Sequence, residues 1–467
     1  MFNSDIEFKE TDGFTRSKIV FRKSTDQPLI TKFKPVRGTR FAESSTYAFF
    51  KEVFLPQGFP ESVHKDYVPY QIWDTLQAFA STINGTLTTH SIMRGVGVGE
   101  STATPLAAAI TWILKDGTGM IGRILFAWWQ GNNLGSQCKK WRLFADILND
   151  VAMTIEVMVP YISTLSSYTL CLTTGMKAIV GIAGGSTRTA IMQHHAINDN
   201  MADVSAKEHS QGTLVNLAGS AVGILILLLV HERIFIYLCL LLVIAHILFN
   251  YFAVTSLKIE TLNEDRLYAV IEDYILYHKI STVTDINDRE CVLIFLEKPA
   301  KKIFGFDIEC GASFEHVLKM HLIQAKDTRL LLTMFLRRKY LPVMDVKNRK
   351  IYIILSKDAS DTDILKAYFH SCIYAIITCQ MTGICSDVLN NKKWSGPSYP
   401  IMRIFMFPKR FSRILSQNDS YVSAEYVLAV DQVVFEECHI FIKLLEESGW
   451  TVKINMLPIK SWRGGWK

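Results

Sequence analysis

The stretch that decides the fold is Thr213-Leu-Val-Asn-Leu-Ala-Gly-Ser-Ala-Val-Gly-Ile-Leu-Ile-Leu-Leu-Leu-Val230, inside a run from His209 to His231 that contains no Asp, Glu, Lys or Arg. A second charge-free run, Ile234 to Leu257, follows three polar residues later. A helix needs roughly 20 mostly apolar residues to cross a bilayer. The two runs therefore predict a transmembrane helical hairpin. Two helices in a large soluble core are the alternative, which we disfavour because buried helices of globular proteins usually keep one polar stripe.

The composition indicates a membrane part joined to a polar part. The chain has 467 residues, enough for two or three domains, of which 49% are hydrophobic and 20% charged. A net charge of +6 over this length is too dilute for nucleic-acid binding, which needs a concentrated basic stripe. The first residues lack the apolar segment of a cleavable secretory signal.

Metal binding is not expected from the sequence. The nine cysteines include no CxxC pair and read as reduced, mostly buried thiols. The pair His194-His195 is an improbable metal site, because adjacent helix residues usually point in different directions. We therefore predict neither a metal nor another cofactor.

Two shorter apolar arms, Leu106 to Leu114 and Ile124 to Trp129, flank a glycine-containing segment. Each arm is too short to cross a bilayer alone. The pattern predicts a re-entrant pair or one crossing broken at the glycines, as in carriers that expose backbone groups to substrate. In that case Lys115, Asp116 and Arg123 would line the break. An interfacial amphipathic helix is the alternative.

The next uncharged segment, Val157 to Met176, predicts a crossing bent at Pro160, and Lys177 to Met192 predicts its return. The return segment contains Gly184-Gly185-Ser-Thr-Arg188. Backbone N–H groups, hydroxyls and a guanidinium together suit an anion. Close helix packing through small residues is the alternative interpretation.

A polar cluster precedes this hairpin. Asp146, Asn149 and Asp150 share one face of a predicted helix, with Arg142 one turn earlier. A surface ion pair is the plainest interpretation of these residues. A cation site or an intramembrane ion pair is the sharper one, because ionisable groups at membrane depth tend to be functional. Upstream, Asp66 can cap a helix in which Asp74 and Gln77 carry no evident function beyond packing and solvation.

The positive-inside rule places the basic segment Lys139-Lys-Trp-Arg142 in the cytosol. With about six membrane segments, both termini are then cytosolic.

From Lys258 onwards the charges recur every few residues and the apolar runs shorten. We predict a strand at Lys350–Ser356, a helix at Ile364–Thr378, a helix from Ser423 to Glu447 and a strand at Trp450–Met456. No catalytic motif is present, so no catalytic residue and no enzyme activity are expected; a membrane enzyme using Asp146, Asp150 and His194 is the weakest alternative. The predicted fold class is an α-helical polytopic membrane domain (54–257), after a polar lead-in (1–53), followed by a smaller α+β soluble domain (258–467).

Several long segments resemble the root UVB-sensitive (RUS) family. They are Leu55-Pro-Gln-Gly-Phe-Pro-Glu-Ser-Val63, Tyr70-Gln-Ile-Trp-Asp-Thr-Leu-Gln-Ala-Phe79, Gly95-Val-Gly-Val-Gly99, Ala103-Thr-Pro105, Trp112-Ile-Leu-Lys-Asp-Gly-Thr-Gly-Met120, Gly122-Arg-Ile-Leu-Phe-Ala-Trp-Trp129, Lys140-Trp-Arg-Leu-Phe-Ala-Asp-Ile-Leu-Asn-Asp150 and Asn200-Met-Ala-Asp-Val-Ser-Ala-Lys207. The resemblance covers roughly Phe54 to Arg266. It implies a membrane-associated protein of a family linked in plants to seedling development, UV-B response, auxin transport and vitamin B6 homeostasis, without an established enzymatic reaction.

The sequence patterns favour a multi-pass membrane protein that carries or binds a small polar or anionic metabolite, and the family resemblance makes a phosphorylated B6 vitamer the candidate. Its partners would be the lipid bilayer and this metabolite, with no nucleic acid. The alternative function is a non-transporting membrane adaptor that presents the C-terminal domain to a protein partner or a family paralogue.

Overall fold

A computed structural model describes ten segments of the chain: residues 7–11, 16–22, 34–35, 45–95, 105–131, 133–161, 166–296, 298–336, 338–391 and 422–465. Contacts divide the chain into two compact units. The first unit contains Met1–Arg123 and Ala145–Ser256, and the second contains Ile124–Phe144 and Leu257–Lys467. Each unit is described by itself.

The first unit is helical apart from a small antiparallel sheet near its start. The sheet has the order β1 (Glu7–Thr11), β2 (Arg16–Arg22), β3 (Lys34–Pro35). Helices α1 to α7 follow, of which α3 and α4 contribute residues to both units. In chain order they are Ser45–Phe54, Tyr67–Gly95, Pro105–Gln130, Cys138–Val157, Ser166–His195, Met201–Leu229 and Glu232–Ser256.

Helix α2 packs against both α6 and α7. Its contact with α6 is made close by two glycines one turn apart. A Cβ atom at Gly219 would lie 2.9 Å from Thr82 Cβ, and one at Gly223 would lie 2.8 Å from Thr86 Cβ. Small residues at this spacing let helix backbones approach without a hydrophobic driving force, as in membrane helix pairs.

Two helical stretches among the described residues, Met201–Leu229 and Ile234–Ser256, are long and apolar enough to cross a membrane. Their apolar windows are largely exposed, with 11% and 17% of the residues buried. Leu228, at 77% exposure, is typical of this surface. Helices in the core of a water-soluble domain would instead bury this face. The helical character of the predicted domain is confirmed, but the expected six membrane segments are not reached.

Helices α3 and α5 are each continuous, which corrects two predictions. Helix α3 runs unbroken through Lys115–Arg123, and two of its glycines pack against α5: Gly119 faces Thr174, and Gly122 faces Gly175 and Ala178. Helix α5 passes through Met176 without a turn. The hairpin predicted to turn there is therefore absent, and one 30-residue helix, Ser166–His195, includes most of both predicted arms. Lys177, a good helix former, lies inside this helix, and its Nζ donates to Oε2 of Glu156 in α4 at 2.5 Å.

The second unit is α+β, as predicted for the C-terminal domain. Its strands β4 to β8 are Thr261–Leu262, Asp307–Cys310, Tyr340–Asp345, Lys350–Leu355 and Thr451–Asn455. Strands β5, β7 and β6 form a sheet in that order, in which β7 is parallel to β5 and antiparallel to β6, and β4 pairs with β8 in parallel. Helices α8 to α14 are Glu264–Tyr277, Val283–Arg289, Ala300–Phe304, Phe314–Lys319, Ala325–Phe335, Asp361–Thr382 and Ala424–Glu447.

The long helices and strands predicted for this unit are confirmed. Strand β7 and helices α13 and α14 lie where the sequence indicated. Helix α13 begins with a capping box between Ser360 and Asp363 and is buried from Ile364 to Cys379 at nearly every position. A helix that is buried on nearly every side is the central core helix of its unit.

The second unit also includes Ile124–Phe144, which the predicted domain boundary at residue 257 had excluded. Lys139 and Lys140 explain this difference. Both side chains are almost fully buried, Lys139 beside Glu290 at 2.9 Å and Lys140 beside Asp265 at 2.6 Å. Because these lysines are neutralised inside a unit, they do not form a basic flank, and the orientation derived from them is not supported.

Candidate functional site

A polar pocket lies among α2, α5 and α6 within the first unit, with a volume of about 210 Å³. Its polar lining comes from one face of each helix: Gln71, Asp74, Thr75, Gln77, Ser81 and Thr82 of α2, Arg188 of α5, and Glu208 and Asn216 of α6. Residues three or four apart lie on the same side of a helix, so the α2 and α6 members each form a stripe. The pocket therefore combines hydroxyl, amide, carboxylate and guanidinium groups.

Arg188, predicted as an anion ligand, lies in this pocket but already has a carboxylate partner. Its Nε donates to Glu208 Oε1 at 2.8 Å, and the Glu208 side chain is 5% exposed. With Asp74 also in the wall, the pocket holds two carboxylates and one guanidinium. The charged side chains of the lining therefore carry a net negative charge, whereas a site for phosphate needs a net positive one.

Gly184 and Gly185 do not complete an anion cradle. Both lie in the interior of α5, where backbone N–H groups are used in the helix ladder. Among the described residues, no atom outside the local helix backbone lies within 4 Å of a Cβ placed at either position, so no neighbouring helix packs closely on this pair. A role of Gly184 and Gly185 in binding a ligand stays a prediction.

The side-chain carbonyl of Gln71 is available to accept a hydrogen bond from a ligand. Its Oε1 atom is buried and has no hydrogen-bond partner among the described residues. A buried carbonyl oxygen without a partner costs about 1–3 kcal/mol, which a ligand donor in the pocket can recover.

Gln77 connects the pocket to a buried polar network. Its Nε2 donates to Asp146 Oδ2 at 3.1 Å and contacts His246 Nε2 at 2.7 Å. His246 Nδ1 is 2.7 Å from Asp150 Oδ2, and Asn250 donates to Asp146. These contacts join α2, α4 and α7 in one chain of hydrogen bonds.

The network assigns the His246 tautomer. Because the Gln77 amide donates to Nε2, the neutral ring carries its proton on Nδ1 and donates it to Asp150. Asp150 Oδ1 is buried and has no hydrogen-bond partner in the described part of the chain. Asp150 can therefore accept a proton at that oxygen without losing a hydrogen bond.

The remaining predicted residues lie elsewhere. The Lys115 side chain is outside the described part of the chain, and Asp116 and Arg123 are exposed on α3, away from the pocket lining. Arg142 is half-buried, and Asn149 contacts Met153 of its own helix through Nδ2 and Sδ at 3.9 Å. Of the predicted polar cluster, Asp146 and Asp150 are therefore the members that join the buried network.

Sequence reasoning missed Gln77, Glu208 and His246. A signal for His246 was present, since it is the one ionisable histidine within the charge-free run from Ile234 to Leu257. The polar stripe of α2 was also visible, at helical spacing from Gln71 to Thr82. Partners more than a hundred residues away could not be inferred from either pattern.

A second cluster lies outside the pocket, where the segment before α2 meets the end of α5. Asp66 Oδ1 is 2.6 Å from His64 Nδ1, and its Oδ2 is 2.9 Å from His194 Nε2. His195 Nε2 lies 3.4 Å from Asp66 Oδ1. Burial alone would raise the pKa of Asp66, but the three histidines hold it well below its usual value. Both adjacent histidines, at the end of α5, thus approach one carboxylate, contrary to expectation.

Comparison with known proteins identifies the family. Residues 41–278 match the model of the vitamin B6 photo-protection and homoeostasis domain, and residues 279–466 match the C-terminal domain of root UVB sensitive proteins. Protein root UVB sensitive 3 of Arabidopsis thaliana is 33% identical over 82% of this chain and 87% of its own length. RUS family member 1 of Dictyostelium discoideum is 38% identical over 65% of this chain, which spans 57% of that relative.

No solved structure matches the chain. Both family models and both relatives agree with the resemblance seen in the sequence, and the two matched ranges together cover nearly all of it. The chain belongs to the root UVB-sensitive family.

Proposed function

We propose that this chain is a membrane protein that binds, and carries, a small polar metabolite in the pocket among α2, α5 and α6. The observation that supports this proposal most is the contrast between the two faces of α6. Glu208, Gly212 and Asn216 face the pocket at four-residue spacing. Leu217, Leu225 and other apolar residues of the same helix are exposed. A helix with lipid on one side and a polar chamber on the other is typical of membrane carriers.

The charges in the pocket favour a neutral or zwitterionic ligand over a phosphorylated one. A phosphate monoester carries about −1.5 to −2 charges at neutral pH. In the pocket it would meet Asp74 and Glu208, while the Arg188 guanidinium is already engaged by Glu208. The family model describes vitamin B6 homoeostasis. An unphosphorylated B6 vitamer, with its hydroxyl groups and ring nitrogen, is therefore a better candidate than the phosphorylated form expected from the sequence.

The buried network suits a carrier that exchanges a proton with its ligand site. Gln77 touches both the pocket and His246, and Asp150 has a free oxygen lone pair at the far end. When the Gln77 amide turns away from His246, a proton from the ligand or from water in the pocket can bind Nε2, and the doubly protonated ring can then pass its Nδ1 proton to the Asp150 carboxylate. Chains of ionisable residues that face a bundle interior serve as proton relays in transporters.

Ligand binding can be tested on the full chain in lipid nanodiscs by calorimetry with pyridoxine, pyridoxal and pyridoxal phosphate. Gln71→Leu is the informative variant, because the Oε1 atom it removes has no hydrogen-bond partner in the part of the chain that the structure describes. Each lost hydrogen bond of about 1 kcal/mol lowers affinity roughly five-fold. Gln193→Leu, an exposed position on α5, is the matched control.

We expect pyridoxine to bind more tightly than pyridoxal phosphate, with weaker binding in Gln71→Leu and unchanged binding in Gln193→Leu. Uptake of labelled pyridoxine into proteoliposomes, with Arg188→Gln/Glu208→Gln to remove the ion pair without leaving a buried charge, then separates a carrier from a binder. If no vitamer binds, or Gln71→Leu binds like the parent, the pocket assignment is wrong and the adaptor function becomes the better hypothesis.

A further inference from the structure

The cluster around Asp66 brings together three donor atoms of the kind that bind transition metals. His64 Nδ1, an Asp66 carboxylate oxygen and His194 Nε2 all lie within 4.8 Å of one another. Zinc binds imidazole nitrogen and carboxylate oxygen at about 2.0–2.2 Å, which sets neighbouring donors about 3.3 Å apart in a tetrahedral site. The observed donor distances of 2.6 and 2.9 Å are close enough that small side-chain rotations would admit an ion.

The backbone holds these donors in place. His64 N donates to His195 O at 3.0 Å, and Val63 pairs with Ala196 as an isolated β-bridge. The segment that carries His64 is thereby joined to the end of α5 that carries His194. Positioning of ligands by rigid elements is what distinguishes a metal site from a chance cluster.

His195 gives a second indication of a ligand at this place. Its side chain is 1% exposed, and in the described part of the chain Nε2 makes no well-formed hydrogen bond: it approaches Asp66 Oδ1 at 3.4 Å without hydrogen-bond geometry. The ring is held by Tyr67 and Tyr70, whose centroids lie 5.3 and 5.2 Å from it. Ligating carboxylates are commonly hydrogen-bonded by a neighbouring residue that fixes their orientation. Nε2, 3.4 Å from Asp66 Oδ1, is placed to donate to the carboxylate once a metal draws it forward.

Access and coordination also fit a metal ion. The side chains of His64 and His194 are 10% and 12% exposed, so an ion can reach the cluster from solvent. Three protein ligands leave one position of a tetrahedral ion for water or another small ligand.

We propose that His64, Asp66 and His194 bind one divalent transition-metal ion of the zinc type, with His195 orienting the Asp66 carboxylate. Such an ion joins the start of α2 to the end of α5. This inference is independent of the metabolite pocket and would stand if that pocket proved to bind nothing.

Cobalt(II) is the probe, since it replaces zinc and reports its geometry through visible d–d absorption bands. The full chain is purified in detergent with a tag that contains no histidine, treated with chelator and titrated with CoCl₂, then with ZnCl₂ in competition. Metal content is measured by mass spectrometry. His64→Asn and His194→Asn each remove a ligand while keeping a hydrogen-bond donor for Asp66. His209→Ala, an exposed histidine of α6, is the control.

We expect one cobalt per chain, tetrahedral bands that zinc removes, and a rise in melting temperature on metal addition. Both Asn variants should lose the bands and the thermal shift, whereas His209→Ala keeps them. His195→Ala should weaken binding about 10- to 100-fold without abolishing it. Failure of the parent to bind stoichiometric cobalt, or bands that survive in His64→Asn and His194→Asn, would overturn the proposal. A variant that melts like the chelated parent but binds no cobalt counts as support, because its fold is intact.

Discussion

Replacement of Glu290 by glutamine should strongly destabilise the second unit. Glu290 contacts Lys139 Nζ at 2.9 Å and Arg266 Nη1 at 2.7 Å, and its side chain is 3% exposed. Gln keeps the shape but not the charge, so the variant leaves two buried cations without their counter-ion. Removing one partner of a buried ion pair typically costs about 3–5 kcal/mol.

The pKa of Glu290 gives a second measure of the same cost. Burial alone would raise it, but Arg266 and Lys139 hold it at about 2, against 4.5 for the free side chain. This pKa difference corresponds to about 3 kcal/mol. Burial lowers the pKa of Lys139, which means that keeping this lysine charged inside the unit costs free energy. The intact ion pair therefore adds less to the free energy of unfolding than the loss of one partner removes. We therefore expect Glu290→Gln to lose about 3 kcal/mol, or about 6–12 °C of melting temperature.

Thermal unfolding of the full chain, followed by tryptophan fluorescence in detergent, measures this loss. Because folding lowers the pKa of Glu290, its contribution is complete above pH 4.5 and disappears as pH falls towards about 2. The difference between parent and variant should therefore shrink over that acidic range. Glu315→Gln, in an exposed pair with Lys319, should melt like the parent. If Glu290→Gln also melts like the parent at neutral pH, the ion pairs of Glu290 with Lys139 and Arg266 do not stabilise the unit.

Three further outcomes are expected. Gly223→Val should separate α6 from α2, since its Cβ would lie 2.8 Å from Thr86 Cβ, and should lower the melting temperature in detergent. Gly311→Ala should expose the C-terminal segment to protease, because Gly311 has φ +77° and the new Cβ would lie 2.3 Å from Lys460 O. Gly383→Ala is its control: Gly383 has a similar φ but no neighbouring atom of the described chain within 4 Å of the new Cβ, so this variant should show only the backbone strain of about 1 kcal/mol. Carbonate extraction of membranes should leave the full chain in the pellet, and release into the supernatant would contradict membrane insertion of α6 and α7.

Hydropathy alone located two helices that are long and apolar enough to cross a membrane, because this signal is carried by consecutive residues. The predicted runs at Thr213–Val230 and Ile234–Leu257 match the stretches of α6 and α7 that are long and apolar enough to cross a membrane. Local patterns likewise located strand β7 and helix α13. The break predicted at the glycines of α3 is absent, because the sequence alone does not tell whether a glycine interrupts a helix or packs against a neighbouring helix.

The candidate sites depended on partners that are far apart in the chain. Gln77 and His246 are 169 residues apart, and Asp66 and His194 are 128 apart. A single sequence carries no information on which of its polar residues will meet at such separations. Charge balance was equally hidden: Arg188 suggested an anion site until the fold placed Glu208 beside it.

The sequence by itself determined the family, the apolar helices and the α+β character of the C-terminal half, since each follows from neighbouring residues or from long specific motifs. Only the tertiary structure decided what the charged residues do. Lys139 became the partner of Glu290, and Asp66 became the centre of three histidines. The physical reason is that a buried charge takes its properties from its surroundings, and those are assembled by packing of helices from distant parts of the chain.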